Sequence, residues 1–180
     1  MSSGQLSRVL VAAVGTVAAA LIVVMAIAMW RDVGNDDIGR ADTELTAGVD
    51  FNLDNFDGSR FVLSEHGDRP TFVYFWASWC PPCEQEAPLI QKLWPEYEAR
   101  GYTFVGINIW DGEADARNFI ERHGITFPVV IDDGKTGLDY GVYGLPEAFF
   151  LRPGLDLDQK YIGALTEEPF RERLEAIGAS

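Results

Sequence analysis

Cysteine and histidine are both scarce in this chain, with two of each among 180 residues. Two cysteines cannot build a framework of structural disulfides, so Cys80 and Cys83 must act together if they act at all. Lysine and arginine total 14 against 28 aspartate and glutamate residues, which gives a net charge of −14. That balance excludes the clustered cations that bind nucleic-acid phosphates, and it is expected of a hydrated protein surface. The lack of any repeat with a period of roughly 20–50 residues excludes a solenoid.

Charge is absent from the segment Val9–Trp30, VLVAAVGTVAAALIVVMAIAMW. As a helix this segment would extend about 33 Å, close to the roughly 30 Å hydrocarbon core of a bilayer. Arg8 precedes the segment and acidic residues follow it, which favours a cytoplasmic N-terminus at residues 1–8. The sequence therefore predicts a single-pass signal-anchor at residues 9–30 in the cell membrane, with the rest of the chain extracytoplasmic, on the periplasmic or outer face.

A cleaved signal peptide is the alternative, with Ala26-Ile27-Ala28 as its cleavage site. The apolar run is longer than the roughly 7–15 residues of such signals, which favours the uncleaved anchor. Both alternatives export the same acidic remainder. Residues 31–48 are polar and acidic without an apolar period, and they are predicted to form a linker. Residues 49–180 then have the size of one ordinary domain.

Strand-like and helix-like patterns alternate along the exported part, which predicts an α/β fold with a central mixed sheet flanked by helices. Nearly continuous apolar runs indicate buried strands, and apolar residues three and four apart indicate helices. The predicted strands are Thr71–Trp76, Tyr102–Ile109, Phe127–Ile131, Ala148–Leu151 and Lys160–Gly163. The predicted helices are Cys83–Arg100, Ala114–His123, Thr136–Tyr140 and Glu167–Ile177.

Turn and cap residues refine this layout. The Asp57-Gly58 turn between two short apolar alternations predicts an N-terminal β-hairpin. Pro88 and Pro95 predict a kink or a break within the first long helix of the domain. Thr166 is the predicted N-cap of the last helix.

The segment Trp79-Cys80-Pro81-Pro82-Cys83 lies where a strand ends and a helix begins. The unpaired N–H groups and the dipole of a helix N-terminus lower the pKa of a thiol placed there. Cys80 precedes the first turn and is the predicted exposed nucleophile, whereas Cys83 lies one turn inside as the resolving thiol. Their two-residue spacing allows a redox-active disulfide between them.

Other uses of the two cysteines fit the sequence less well. A zinc site needs further ligands, and only His66 and His123 exist. A thiol peroxidase needs a Thr-x-x-Cys setting with a nearby arginine, whereas Thr71 is distant and acidic residues adjoin the motif. A metal-delivery module needs three residues between the cysteines and a distal histidine, whereas this motif has two residues between them and His123 lies at a predicted helix end. The sequence therefore predicts a protein disulfide oxidoreductase without a metal or another cofactor.

Two segments carry a family resemblance. Phe72–Pro88, FVYFWASWCPPCEQEAP, resembles the active-site region of thioredoxin-fold proteins. Gly141–Pro153, GVYGLPEAFFLRP, resembles the second hallmark of the membrane-anchored TlpA/ResA/DsbE branch, which serves cytochrome c maturation. The resemblance covers about residues 50–177. It implies a thioredoxin-like fold with the predicted hairpin ahead of the core and a central insert around Asp111–Ile131.

The resemblance also implies roles for single residues. It makes Cys80 the attacking thiol and Cys83 its buried partner, and it implies a cis peptide bond before Pro146. Backbone groups just before that proline would pair with an extended substrate strand. Glu86 and Glu147 match acidic positions of the catalytic site, and a surface charge is the alternative for each.

Residues that flank the active site in the resemblance are Trp76, Trp79, Pro81 and Pro82, and the alternative for both tryptophans is core packing and a hydrophobic rim. Tyr74 departs from the family, which has aspartate or asparagine at this position. A buried phenol, with a pKa near ~10, cannot accept a proton from the Cys83 thiol at neutral pH. Glu86, Glu147 or water must then supply that function.

The surroundings of the motif favour a reductant. Pro81 and Pro82 offer no N–H to the Cys80 thiolate, and acidic residues adjoin the motif without any adjoining basic residue. A poorly stabilised thiolate gives a low reduction potential. The resemblance implies the haem-attachment cysteines of apocytochrome c as substrate and a membrane thiol carrier as electron donor. Reduction of other exported disulfide proteins is the alternative.

Overall fold

The structure, a computed structural model, describes residues 14–27, 40–41 and 43–179. The chain divides into two compact units, residues 1–38 and 39–180.

Helix α1, residues 14–27, is the described part of the first unit. No helix among the described residues is both long and apolar enough to cross a membrane. The remainder of the predicted anchor at 9–30 lies outside the described residues, as do the predicted N-terminus at 1–8 and residues 31–39 of the predicted linker.

The second unit is built on a six-stranded mixed sheet. Its strands are β1 (Arg40–Ala41), β4 (Thr71–Trp76), β5 (Thr103–Asn108), β6 (Val129–Ile131), β7 (Glu147–Leu151) and β8 (Leu157–Ile162). The strand order is β1-β8-β7-β4-β5-β6. β4, β5 and β6 are parallel neighbours, whereas β7 and β8 pair antiparallel. The predicted mixed sheet with an antiparallel part is therefore confirmed. β1, which pairs with β8, lies within the segment predicted as a linker.

β4 shows why both faces of the sheet are buried. All six of its residues are buried, and successive side chains of a strand point to opposite faces. Phe72, Tyr74 and Trp76 contribute to one hydrophobic cluster, whereas Val73 and Phe75 contribute to a second one. An apolar run without alternation is therefore the pattern that this position requires.

The predicted hairpin covers the second of these clusters. It consists of β2 (Asn52–Asp54) and β3 (Arg60–Val62), which pair antiparallel. A 3-10 turn follows at Leu63–His66. Phe51, Leu53 and Phe61 are buried in the cluster that also contains Val73 and Phe75, so the hairpin belongs to the core of the domain.

Four α-helices complete the described part of the domain: α2 (Pro81–Glu98), α3 (Glu113–His123), α4 (Thr136–Asp139) and α5 (Glu167–Gly178). Each was predicted from the sequence. α3 ends at Gly124, whose φ of 58° is left-handed. Thr166 is the N-cap residue of α5, as predicted, although its side chain makes no capping hydrogen bond.

The sequence predicted a kink or a break in α2, and a break is not found, because one helix continues through Pro88 and Pro95. Each proline removes one backbone hydrogen bond from a helix interior. The opposing contribution comes from packing, since the core-facing side of α2 is buried against the sheet. The buried residues of this side are Cys83, Glu86, Ala87, Ile90, Leu93, Trp94 and Tyr97.

The strand directions bring three loops to one edge of the sheet. β4 and β5 are parallel, so their carboxyl ends lie at the same edge. β7 runs antiparallel to β4, and its first residue, Glu147, pairs with Phe75 near the end of β4. The loop before β7, the loop after β5 and the loop that leads from β4 into α2 therefore meet at this edge.

Candidate active site at the start of helix α2

The two cysteines form a disulfide at the N-terminus of α2. Cys80 is the N-cap residue, with an extended backbone, and Pro81 and Pro82 are the first two residues of the helix. The Cys80 Sγ–Cys83 Sγ distance is 2.14 Å. The Cys83 N–H donates a hydrogen bond to Cys80 Sγ at 3.3 Å. Because the prolines have no N–H, the Cys83 amide is the first one that the helix can direct at this sulfur.

The expected exposure of Cys80 is not found in this disulfide form. Cys80 is 2% exposed and Cys83 is fully buried. Both cysteines belong to the hydrophobic cluster that contains Trp76 and Ala87. Burial therefore does not distinguish the attacking thiol from the resolving one, and the distinction depends on the N-cap position of Cys80.

Glu84, the residue after Cys83, has basic partners that the sequence did not reveal. One Glu84 carboxylate oxygen lies 3.0 Å from Arg122 Nη2 and the other lies 3.0 Å from His123 Nε2. The expectation that no basic side chain adjoins the motif is therefore wrong for the folded chain. The end of α3 brings a cation to the start of α2, so Glu84 does not act there as an isolated negative charge.

Glu86 is a buried acid on the helix face of the resolving cysteine. It lies three residues after Cys83, a spacing that places both side chains on one side of α2. Its side chain is only 2% exposed, which rules out the surface-charge alternative. Oε2 accepts a hydrogen bond of 2.6 Å from the Leu165 N–H. Burial raises the pKa of Glu86 to about 7, although the hydrogen bond from the Leu165 N–H and the nearby Tyr74 hydroxyl act in the opposite direction.

Tyr74 lies on the same face of the sheet and is also buried. Burial, and next the charge of Glu86, hold the pKa of its phenol well above the usual range. The Tyr74 hydroxyl and Glu86 Oε1 are close enough to affect each other's pKa values, yet neither atom has a hydrogen-bond partner of normal geometry among the described residues. Tyr74 therefore remains protonated, and Glu86 is the group of this pair that titrates near neutral pH.

Glu147 is buried as well, but in a different setting. Its side chain is fully buried and Oε2 lies 2.7 Å from Nζ of Lys160, which is 4% exposed. The angles of this contact do not meet hydrogen-bond geometry, so the attraction between the charges is the interaction. Oε1 accepts hydrogen bonds of 3.0 Å from the amides of Tyr143 and Gly144.

The two predicted acids lie on opposite faces of the sheet. Glu86 packs in the cluster of Tyr74 and the cysteines. Glu147 pairs in register with Phe75, which belongs to the second cluster. Opposed residues of neighbouring strands point to the same face. Only Glu86 therefore shares a face with the disulfide.

Pro146 is the buried residue that joins the loop before β7 to this strand. The Leu145–Pro146 peptide bond is cis, as expected from the sequence. The Pro146 carbonyl accepts a hydrogen bond of 2.9 Å from Gly163 N–H. Within the described part of the chain, no hydrogen bond reaches the amide or the carbonyl of Leu145.

Asp111 connects the other two loops of this edge. Its carboxylate accepts hydrogen bonds from Ser78 N at 2.6 Å, Ser78 Oγ at 2.8 Å, Asn108 Nδ2 at 2.9 Å and Gly112 N at 2.8 Å. Partial burial alone would raise the pKa of Asp111, but the hydrogen bonds from Asn108, Ser78 and Gly112 outweigh it and lower the pKa. Asp111 thus holds the chain two residues before Cys80.

The two predicted flanking tryptophans differ in environment. Trp76 is buried, with its ring centroid 4.5 Å from that of Phe119, so core packing accounts for it. Trp79 is 57% exposed beside Cys80, and its Nε1 donates a hydrogen bond of 2.9 Å to the Trp110 carbonyl. Trp110 is also 53% exposed, with a left-handed φ of 55°. Trp79 therefore matches the alternative of a hydrophobic rim.

Comparison with known proteins assigns this arrangement to a family. Residues 46–159 match the AhpC/TSA family. Thiol-disulfide oxidoreductase ResA of Halalkalibacterium halodurans is 33% identical over 130 residues, which are 72% of this chain and 74% of that protein. The chain belongs to the AhpC/TSA family and is a thiol-disulfide oxidoreductase of the ResA type.

Solved structures agree with this assignment. A thiol:disulfide interchange protein of the thioredoxin family from Chlorobium tepidum superposes with a TM-score of 0.68 at 25% identity, covering 76% of this chain and 99% of that one. StoA from Bacillus subtilis superposes with a TM-score of 0.62 at 25% identity, covering 72% and 98%. The fold is therefore thioredoxin-like, as the resemblance implied.

Sequence reasoning missed several residues of the site. Asp111 lies three residues after the end of the buried strand β5, and this position is a signal that could have placed it at the edge of Cys80. Lys160, Arg122 and His123 carried no comparable signal, because their partners are distant in sequence. Among the described residues, no group of three or more His, Cys, Asp or Glu side chains has the arrangement of a metal site.

Proposed function

We propose that this oxidoreductase works as a disulfide reductase outside the cytoplasm. The observation that carries the proposal is the N-terminus of α2, where Pro81 and Pro82 leave Cys80 Sγ with one helix amide, that of Cys83. Fewer donors stabilise the thiolate less, and a less stable reduced form means a lower reduction potential. The Arg122 cation near Glu84 acts in the other direction, but it is itself paired and half exposed.

The proposed reaction transfers two electrons. The Cys80 thiolate attacks one sulfur of a partner disulfide, which forms a mixed disulfide and releases one partner thiolate. Cys83 then attacks Cys80 Sγ, closes the Cys80–Cys83 disulfide and releases the second partner thiolate. Glu86 takes the proton of the Cys83 thiol, because its pKa of about 7 lets the carboxylate accept a proton at neutral pH.

The partner is expected to bind as an extended segment beside the disulfide. The Leu145 amide and carbonyl have no described hydrogen-bond partner and immediately precede Pro146. Free backbone groups at a sheet edge can pair with an added strand. This proposal gives Pro146 and the loop before it the role of docking the substrate.

The substrate that we propose is the oxidised C-x-x-C-H haem-attachment motif of apocytochrome c. The support is the resemblance of GVYGLPEAFFLRP to the cytochrome c maturation branch, together with the ResA name of the relatives. The apolar segment Val9–Trp30 would anchor the domain to the outer face of the cell membrane. A membrane thiol carrier would reduce the disulfide again after each reaction.

An equilibrium titration against glutathione tests the direction of electron flow. We expect a reduction potential near that of thioredoxin, about −270 mV. Replacing Pro81 and Pro82 with residues that have an N–H should raise the potential, because the thiolate gains donors. A wild-type potential near −120 mV, typical of a strong oxidant, would refute the reductase proposal.

Deletion of the gene tests the substrate. We expect the deletion strain to lose covalent haem attachment to cytochrome c and to recover it when an external thiol reductant is added. Normal cytochrome c without added reductant would favour the alternative, in which the protein reduces other exported disulfide proteins.

A further inference from the structure

We propose that Lys160 and Glu147 form a positioning pair that fixes the loop of residues 141–146 for substrate binding. Neither residue would touch the substrate or the reacting sulfurs. The inference rests on the thiol-disulfide exchange activity and on the proposed docking of the substrate backbone at Leu145. It does not depend on which protein is the substrate.

Lys160 and Glu147 are both buried, and each of them contacts the loop of residues 141–146. Lys160 Nζ lies 2.7 Å from Glu147 Oε2 and donates a hydrogen bond of 2.9 Å to the Gly141 carbonyl. The same ammonium lies 5.0 Å from the ring centroid of Tyr143 and 5.2 Å from that of Phe149. Glu147 Oε1 accepts from the amides of Tyr143 and Gly144. Together the two side chains hold the loop at Gly141, Tyr143 and Gly144.

These contacts determine which backbone amides and carbonyls of the loop remain without a hydrogen bond. The amides of Tyr143 and Gly144 are turned toward Glu147, and the Pro146 carbonyl is used by Gly163. Within the described residues, the Leu145 amide and carbonyl between them make no hydrogen bond. Among the described residues 141–146, Leu145 is therefore the one whose amide and carbonyl are both left unpaired for an incoming strand.

A purely stabilising role explains this pair poorly. Taking two charges out of water is costly, and replacing a buried ion pair with apolar residues is often neutral or stabilising. A role in proton transfer does not account for the pair either. Glu147 faces the side of the sheet opposite the cluster that holds the disulfide. Buried polar groups that fix one conformation are a documented reason for such pairs. Here the fixed element is the loop of residues 141–146, at the sheet edge that also carries the Cys80–Cys83 disulfide.

The experiment measures single-turnover oxidation of the pre-reduced full-length chain by two disulfides. One is a short synthetic peptide closed by a disulfide, and the other is hydroxyethyl disulfide, which has no peptide backbone. We expect Lys160→Met to raise the peptide concentration at half-maximal rate about tenfold, the value of roughly one or two backbone hydrogen bonds. The maximal rate and the reaction with hydroxyethyl disulfide should stay unchanged, and Lys160→Arg should restore most of the peptide affinity.

The double variant Lys160→Met/Glu147→Leu separates positioning from stability. It removes both charges and all the loop contacts but leaves an apolar pair of similar size, so it should fold even if Lys160→Met, with its unpaired buried carboxylate, does not. We expect its thermal stability to match the wild type while the weak peptide binding remains. Recovery of peptide binding together with stability would overturn the proposal, and so would equal changes for both disulfides in any variant.

Arg152→Met serves as the matched control. Arg152 pairs with Asp158 in the same β7–β8 hairpin, at the end remote from residues 141–146. We expect this substitution to leave the peptide concentration at half-maximal rate unchanged. The readout compares two disulfides on one enzyme, so a high reduction potential would refute the reductase proposal without affecting this test.

Discussion

At the scale of single residues, Glu86 is the acid whose pKa burial raises to near neutrality. It costs stability when it is ionised, because its pKa is about 7 in the folded chain against 4.5 for the free side chain. Residues with strongly displaced pKa values in a cleft or beside a reactive group are candidates for catalysis. A buried carboxyl group that destabilises the fold when it is ionised fits the proposed role of Glu86 as the proton acceptor for Cys83.

Replacement of Glu86 by glutamine should change the pH dependence of stability. The folded pKa is raised, so the wild type loses stability as the pH rises from about 4.5 to about 7, and the loss above that range is about 3 kcal/mol. Glu86→Gln cannot ionise and should be more stable than the wild type at pH 8 by up to this amount, but equal at pH 4. Urea unfolding of the oxidised proteins at the two pH values measures the difference.

The control for this prediction is Glu65→Gln, at an exposed acid. It should change the unfolding free energy by less than about 0.5 kcal/mol at either pH. If Glu86→Gln changes stability equally at pH 4 and pH 8, the effect comes from packing and not from ionisation.

The roles of the two cysteines can be assigned by trapping. Cys83→Ser leaves the N-cap thiol of Cys80 to attack a partner but removes the thiol that resolves the mixed disulfide, so the covalent complex should accumulate. Cys80→Ser should trap little or nothing. Non-reducing electrophoresis of cells that express each variant measures the complex. Trapping by Cys80→Ser instead of Cys83→Ser would reverse the assignment.

At the scale of elements, the sheet edge that carries the Cys80–Cys83 disulfide is formed by the ends of β4 and β5 and by the start of β7. Asp111 is the link between two of these ends, because it follows β5 and binds Ser78 in the loop after β4. It also keeps the segment of Trp110 beside Trp79, whose Nε1 bonds the Trp110 carbonyl. One carboxylate therefore fixes the approach to Cys80 from two strands.

Asp111→Ala should destabilise the domain by about 1–3 kcal/mol, because several polar groups lose their acceptor. The pKa of Asp111 is lowered in the folded chain, so its contribution is present above the unfolded pKa, about 3.9, and is lost as the pH falls through the folded value. The difference between variant and wild type should therefore shrink in strong acid. Urea unfolding at neutral pH and at low pH measures it.

Asp115→Ala, at an exposed position in the first turn of α3, is the comparison for that variant. It should change stability by less than about 0.5 kcal/mol. A loss as large as that of Asp111→Ala would mean that charge near α3 matters, and not the bridge between the loops.

At the scale of the whole molecule, the two units of the chain are predicted to have separate tasks. The core residues of the described chain lie between Phe51 and Ile177, within the unit of residues 39–180. The apolar segment Val9–Trp30, in the other unit, is the predicted membrane anchor. The redox chemistry and the attachment should therefore be separable.

Removal of residues 1–38 should leave a folded domain with an unchanged reduction potential, because the deletion takes away none of the described core. The full-length chain should sediment with membranes, whereas the shortened chain should stay in the supernatant. Circular dichroism, glutathione titration and membrane fractionation measure the three expectations. Full-length protein in the supernatant would contradict the predicted anchor, and an unfolded shortened chain would contradict the independence of the domain.

Much of the fold could be predicted because its signals are local. The buried run of β4, the turn at Asp57-Gly58 and the stop of α3 at Gly124 each depend on a few neighbouring residues. The unbroken α2 could not be predicted, because the packing that keeps Pro88 and Pro95 within a helix comes from a distant part of the chain.

The sequence by itself determined the chemistry of this protein: two cysteines, spaced for one disulfide, at the junction of a buried strand and a helix. Tertiary structure decided the environment of that chemistry. Glu86 is buried against Leu165, which is 79 residues away, and Glu84 meets Arg122 across 38 residues. Lys160 reaches Gly141 across 19 residues. Reactivity at a helix N-terminus follows from adjacent residues, whereas burial and ion pairing depend on which remote segment covers a side chain.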